Sequence, residues 1–291
     1  MTRQDEHPPV QSRTGMGRRD FFRVTGAAAT GFALVTQPVS AETITTPTGG
    51  LHTESLEIPR GGERIPAYLA RPAGAGPFPA VLVIHEVFGL HEYIRDVARR
   101  LAHAGFLAVA PELFFREGGT QHLKTFEEVL AVVRSVPDRR MLDDLGAVLG
   151  HVRGLPACTG KVGVTGFCWG GGATWLLVAD NPAVSAGVAW YGRLMNWGDN
   201  GTLHPNNPID LAARMNAPVL GLYGGQDGGI PVSHVEEMGL ELEDHGKVHA
   251  FQVYPEAKHA FHADYRANYH EAAARDGWQR CLAWFRKYLG N

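Results

Sequence analysis

Past residue 50, two hydrophobic rhythms alternate along the chain. Leu56 to Ile58 and Ile65 to Ala70 are short apolar-rich segments separated by Gly61-Gly62, which predicts an opening hairpin. Ala80-Val81-Leu82-Val83-Ile84-His85 is a continuous apolar run, the signature of a strand covered on both faces. Ile94, Val97, Ala98 and Leu101 then recur at helical spacing. Phe106 to Ala110 predicts a second buried strand that ends at Pro111, and helical patterns follow near 122–135 and 138–153. Further strands are expected at Lys161 to Thr165, Ala186 to Trp190, Val219 to Tyr223 and Phe251 to Tyr254. Ala173 to Ala179 reads as a helix, with others before the last strand and at the C-terminus. Strands alternating with helices predict a three-layer α/β fold, a mostly parallel central sheet with helices on both faces. Ligands of such sheets meet the carboxyl ends of the strands.

Composition narrows the picture only slightly. The 291 residues are 44% apolar and 20% charged with a formal net charge of −3, so nothing argues for nucleic acid. No internal repeat is visible. The first 41 residues differ from the rest. Gly17-Arg18-Arg19-Asp20-Phe21-Phe22-Arg23 resembles the twin-arginine export signal, and a weakly apolar stretch from Val24 to Val35 follows it. Val39-Ser40-Ala41 supplies the small residues of a cleavage site. The expected organisation is a signal over 1–41, a flexible leader over 42–52 and one domain over 53–291. The expected partner is the twin-arginine machinery, the expected location is outside the cytoplasm in the periplasm, and no stable membrane insertion is expected after cleavage.

The chemistry concentrates just after predicted strands. Gly166-Phe167-Cys168-Trp169-Gly170 is the G-x-S-x-G nucleophile elbow with cysteine in place of serine. Small residues two before and two after the nucleophile leave room for a sharp reversal, and the following helix N-terminus favours a thiolate. Asp227 follows the Val219–Tyr223 strand, and His259 follows the Phe251–Tyr254 strand. Nucleophile, acid, histidine is the chain order of α/β-hydrolases. His262 is a competing histidine. His85-Glu86-Val87-Phe88-Gly89 follows the first long strand, where the backbone N–H of Val87 would join that of Trp169 as an oxyanion donor. Glu86 beside a thiol would accept its proton.

The other candidates read as ordinary structure. Cys281 falls on the apolar stripe Trp278, Cys281, Leu282, Phe285 and Leu289, and whether it pairs with Cys158 stays open. The histidines do not form a zinc pattern and no phosphate loop is present, so neither metal nor cofactor is expected.

These motifs together resemble the dienelactone hydrolase family, over roughly Leu56 to Leu289. The resemblance implies an α/β-hydrolase fold and a triad of Cys168, Asp227 and His259. It also implies a Glu86 that contacts the thiol, and hydrolysis of a small ester or lactone through an acyl-thioester. The family places a carboxylate-gripping arginine four residues past the catalytic histidine. Here that position is Ala263, and Arg193 and Arg266 are the candidate substitutes. The loop from Leu194 to Ile209, with Trp197, is expected near the pocket. A thioesterase, an acyltransferase and an exported non-catalytic binding protein stay open as alternatives.

Overall fold

The computed structural model describes residues 43–197 and 201–290; the export signal read within 1–41 lies outside the described residues. Two strands open the domain, β1 (Leu51–Arg60) and β2 (Glu63–Pro72), paired antiparallel from Leu51↔Pro72 to Arg60↔Glu63. Their turn is Gly61-Gly62, with φ of 55° and 89°. Positive φ at both central residues matches the right-handed strand twist, and glycine reaches it without strain.

The rest alternates strand and helix. It runs β3 (Phe78–Ile84), α1 (Glu92–His103), β4 (Leu107–Pro111), α2 (Phe126–Ser135), α3 (Asp138–Arg153), β5 (Cys158–Phe167) and α4 (Trp169–Asp180). Then come β6 (Ala186–Trp190), β7 (Val219–Gly224), α5 (Val232–Asp244), β8 (His249–Tyr254) and α6 (Glu271–Leu289). The eight strands form one sheet in the order β1-β2-β4-β3-β5-β6-β7-β8. β1, β2 and β4 pair antiparallel, and every pairing from β4 to β8 is parallel. The helices cover both faces, which is why β3 and β4 read as unbroken apolar runs.

The boundaries moved for local reasons. The helix expected from 122 starts at Phe126 because Thr125 and Glu128 close a capping box. β5 extends back to Cys158, ahead of the start expected at Lys161. The leader expected over 42–52 is not a free segment in its described part. Leu51 and His52 already belong to β1, and Thr46 is fastened to α1. Its N–H donates to Asp96 at 2.5 Å and its carbonyl accepts from Arg99 at 2.9 Å. A buried carboxylate and guanidinium need partners, and this strand-like strap supplies them. Cys158 and Cys281 are both free thiols, Cys281 buried in the core. Among the described residues no helix is long and apolar enough to cross a membrane.

Candidate active site

Every candidate group sits past the carboxyl end of a parallel strand. Cys168 joins β5 to α4 with φ 55° and ψ −113°, a left-handed conformation unusual for a residue with a Cβ. The two flanking glycines make that turn sterically feasible. A Cβ on Gly166 would lie 2.0 Å from the Gly170 carbonyl oxygen, and one on Gly170 would lie 2.4 Å from that of Ile84. The Cys168 carbonyl accepts from Gly171 and Gly172 and starts the helix. Trp169 is the first helical residue, so its N–H has no acceptor within the helix.

Asp227 and His259 come together from the loops after β7 and β8. His259 Nδ1 lies 2.6 Å from Asp227 Oδ2, while Asp227 Oδ1 accepts from the Gly229 N–H at 2.9 Å. Asp227 is acceptor-only when charged, so His259 donates through Nδ1 and turns Nε2 to the other side. Burial disfavours a charged His259, but the charge of Asp227 and then the Cys168 side chain push it up to about 10. His262, the competing histidine, is elsewhere. It packs in the core against Phe167, Trp190 and Trp278 with Tyr93 Oη 2.6 Å from Nδ1. Burial, and then the charge of Arg100, lower it to about 3, which keeps it neutral.

Glu86 does not make the thiol contact that the sequence reading expects. Its carboxylate is fully buried and accepts from Tyr265 Oη at 2.6 Å; His91 Nε2 lies at 3.4 Å and the Arg266 guanidinium at 3.5 Å. A buried carboxylate gains more from a cation and a hydroxyl than from a neutral thiol. Burial alone would raise its pKa, but Arg266, His91 and Tyr265 hold it at about 2. Val87, next in the chain, is buried at the mouth of the same loop.

The candidate arginines separate. Arg266 is buried, 4.6 Å over the Phe88 ring and 5.0 Å over the Tyr265 ring, and its charge is felt by Cys168. Arg193 is exposed and donates to the Asn196 carbonyl of its own loop. Ala263 is fully buried and its neighbour Asp264 pairs with Arg100. The cation at the site therefore comes from seven positions past His259 rather than four. Trp197 stacks on Trp169 at 6.0 Å and donates from Nε1 to Asp138 at 3.0 Å, which ties the loop after β6 to the nucleophile elbow. Tyr191 places its ring 5.2 Å from that of His259. Sequence reasoning assigned no role to Tyr191, Tyr265 or His91. The only available signal was the position of Tyr265 beside Arg266, because buried partners of this kind have no spacing of their own. Among the described residues no group of His, Cys, Asp and Glu is arranged to hold a metal ion.

Comparison with known proteins completes the description. The model of the dienelactone hydrolase family matches residues 65–289. A Methylorubrum extorquens protein provisionally named carboxymethylenebutenolidase is 50% identical over 282 residues, 96% of each chain. A Bradyrhizobium protein provisionally named 2-oxo-3-(5-oxofuran-2-ylidene)propanoate lactonase is 33% identical over 235 residues, 80% of this chain and 94% of its own. A Klebsiella pneumoniae crystal structure, provisionally named a dienelactone hydrolase, superposes with a TM-score of 0.79 at 48% identity, over 82% of this chain and 99% of that one. The architecture shared with that crystal structure is the three-layer α/β-hydrolase fold.

Proposed function

The chain belongs to the dienelactone hydrolase family, a family of carboxylic ester hydrolases, and on that premise we propose that it cleaves small esters or lactones with Cys168 as nucleophile, His259 as base and Asp227 as its orienting acid. The observation that carries this reading is the strained left-handed Cys168 at the start of α4, beside an imidazole that Asp227 holds from behind. Strain of this kind costs about 1–3 kcal/mol and persists where the surrounding structure enforces it.

The magnitudes decide where the thiol proton goes. His259, raised to about 10, is a far stronger acceptor than Glu86, held at about 2. Cys168 therefore gives its proton to His259, and the thiolate attacks the ester carbonyl. The Val87 and Trp169 N–H groups receive the oxyanion. The tetrahedral adduct collapses to a thioester as the leaving oxygen takes the proton from His259. Water, deprotonated by the same imidazole, then releases the acid. Glu86 enters only when its partners are displaced. A substrate oxygen that takes Arg266 and Tyr265 would raise its proton affinity and free it to receive the thiol hydrogen.

The test is hydrolysis of p-nitrophenyl acetate, a simple lactone and a dienelactone by wild type and Cys168→Ala, with mass detection of an acyl group on Cys168 after acid quench. Loss of turnover and of the acyl adduct in the variant supports the reading; turnover that survives removes the nucleophile. Export is part of the same proposal. Lysine at both Arg18 and Arg19 is expected to retain the protein in the cytoplasm when cells are fractionated.

A further inference from the structure

His85 lies fully buried at the end of β3, and the mechanism above gives it no role. Its two ring nitrogens are both engaged. Nε2 is 3.0 Å from the backbone nitrogen of Leu113, which can only donate, so Nε2 is an acceptor and carries no proton. Nδ1 then bears the hydrogen and donates it to the Glu86 carbonyl oxygen at 2.6 Å. The nearby Glu112 carboxylate, 3.6 Å from Nε2, does not convert the ring to an imidazolium. Burial outweighs it, and Glu112 is already occupied by the N–H groups of Leu90 and Phe114 and by Gln121.

The consequence lies in one peptide plane. In a trans peptide the carbonyl and the following N–H point to opposite sides. The Glu86 carbonyl belongs to the peptide whose N–H is that of Val87. A hydrogen bond that fixes the first therefore fixes the direction of the second. The same imidazole stacks on the Trp169 ring, centroids 5.6 Å apart and 17° between planes, and meets Phe114 at 4.8 Å on a tilted face. Trp169 supplies the other donor. The loop is held from below as well. Gly89 has φ 68° and wraps so closely that a Cβ there would lie 2.6 Å from the Glu112 carboxylate.

On the reading of Cys168, Val87 and Trp169 given above, we propose that His85 is the positioning residue of the oxyanion hole: its neutral Nδ1–H tautomer aims the Val87 N–H at the developing oxyanion, and its ring seats Trp169 beside it. His85 touches no substrate and transfers no proton. It acts through the backbone of the two residues that do the binding.

Two substitutions of equal shape separate this role from packing. His85→Asn keeps a donor near the place of Nδ1, whereas His85→Leu has none; both lose the Nε2 acceptor and the ring. The readouts are kcat and KM for p-nitrophenyl acetate, the inhibition constant of a trifluoromethyl ketone, and the rate of Cys168 alkylation by iodoacetamide. The ketone forms a tetrahedral adduct whose oxyanion needs the hole, while alkylation does not. His85→Leu is expected to lower kcat and ketone affinity by about 10²-fold with little change in KM, and His85→Asn, which keeps the donor but not the ring, to fall between Leu and wild type in both. Alkylation should stay within about twofold of wild type in each, because it reports the thiolate alone. Equal ketone affinity in the Asn and Leu variants overturns the role. If His85→Leu fails to fold, a folded His85→Asn that has lost ketone affinity overturns it as well, and one that keeps it supports it. Wild type that stays active after alkylation of Cys168 overturns the nucleophile reading and the role of His85 with it, whereas inactivation of wild type beside an unaffected His85→Leu overturns only the latter.

Discussion

The pairing of Asp227 with His259 sets the pH behaviour expected of the site. Asp227 is almost fully buried and faces the imidazole at 2.6 Å. His259 is raised from 6.5 to about 10, so the folded protein binds its proton more tightly than the unfolded chain. Its contribution to stability is complete below about 6.5, fades as pH climbs and is gone above about 10. Urea unfolding of wild type and His259→Gln at several pH values should show a gap that is widest in acid and closes toward pH 10. Asp227→Asn removes the charge that raises the imidazole and frees the wrong tautomer. Turnover should drop by up to about 10⁴-fold, with His259, followed by NMR, titrating at lower pH than in wild type. The proposed triad is readable from residue order because the chemistry demands the residue types. Arg266 was harder to read. A guanidinium reaches many places, and only packing against Phe88 and Tyr265 shows that Arg266 lies buried near Glu86 while Arg193 is exposed.

Among the elements, α1 does more than cover the sheet. Asp96 on its buried face gathers Thr46 from the strap, Arg99 and Arg100, and Arg100 continues to Asp264 in the loop that also carries His259 and Arg266. Asp96→Ala would leave the buried Arg99 and the half-buried Arg100 short of a partner, and breaking a buried network costs about 3–5 kcal/mol. The expected result is a lower urea midpoint together with faster proteolysis at residues 43–50. The sequence reading treated this stretch as a flexible leader because Thr and Gly dominate it. Its docking rests on Asp96 and Arg99, some fifty residues away, which no local pattern reports. The capping box at Thr125, by contrast, was local information that periodicity alone overlooked.

For the molecule as a whole, the sheet and its last helix form one packed unit. Phe285 of α6 is fully buried, meets Phe106 edge-on at 6.1 Å, and lies where a Cβ on Gly163 of β5 would be 2.6 Å away. Phe285→Ala opens a cavity between α6 and the sheet. The expected loss is about 3–5 kcal/mol of stability, read by denaturant unfolding, with KM for p-nitrophenyl acetate unchanged below the transition. Parallel topology carries the candidate groups to one edge: Glu86, Cys168, Asp227 and His259 follow β3, β5, β7 and β8, brought together by strand order rather than by nearness in sequence.

The amino-acid sequence alone determined the alternation of strands and helices, the glycine-flanked turn at Cys168, and the placing of Cys168, Asp227 and His259, in that order, after strands. Each of these is dictated locally, by burial on a repeating period or by steric room at a single turn. Tertiary structure decided which buried groups face one another. Glu86 took Arg266, Tyr265 and His91 instead of the thiol, Asp96 took the strap, and His85 took the Glu86 carbonyl. A buried polar group must find a partner wherever the fold brings one within reach, and that partner can lie anywhere along the chain.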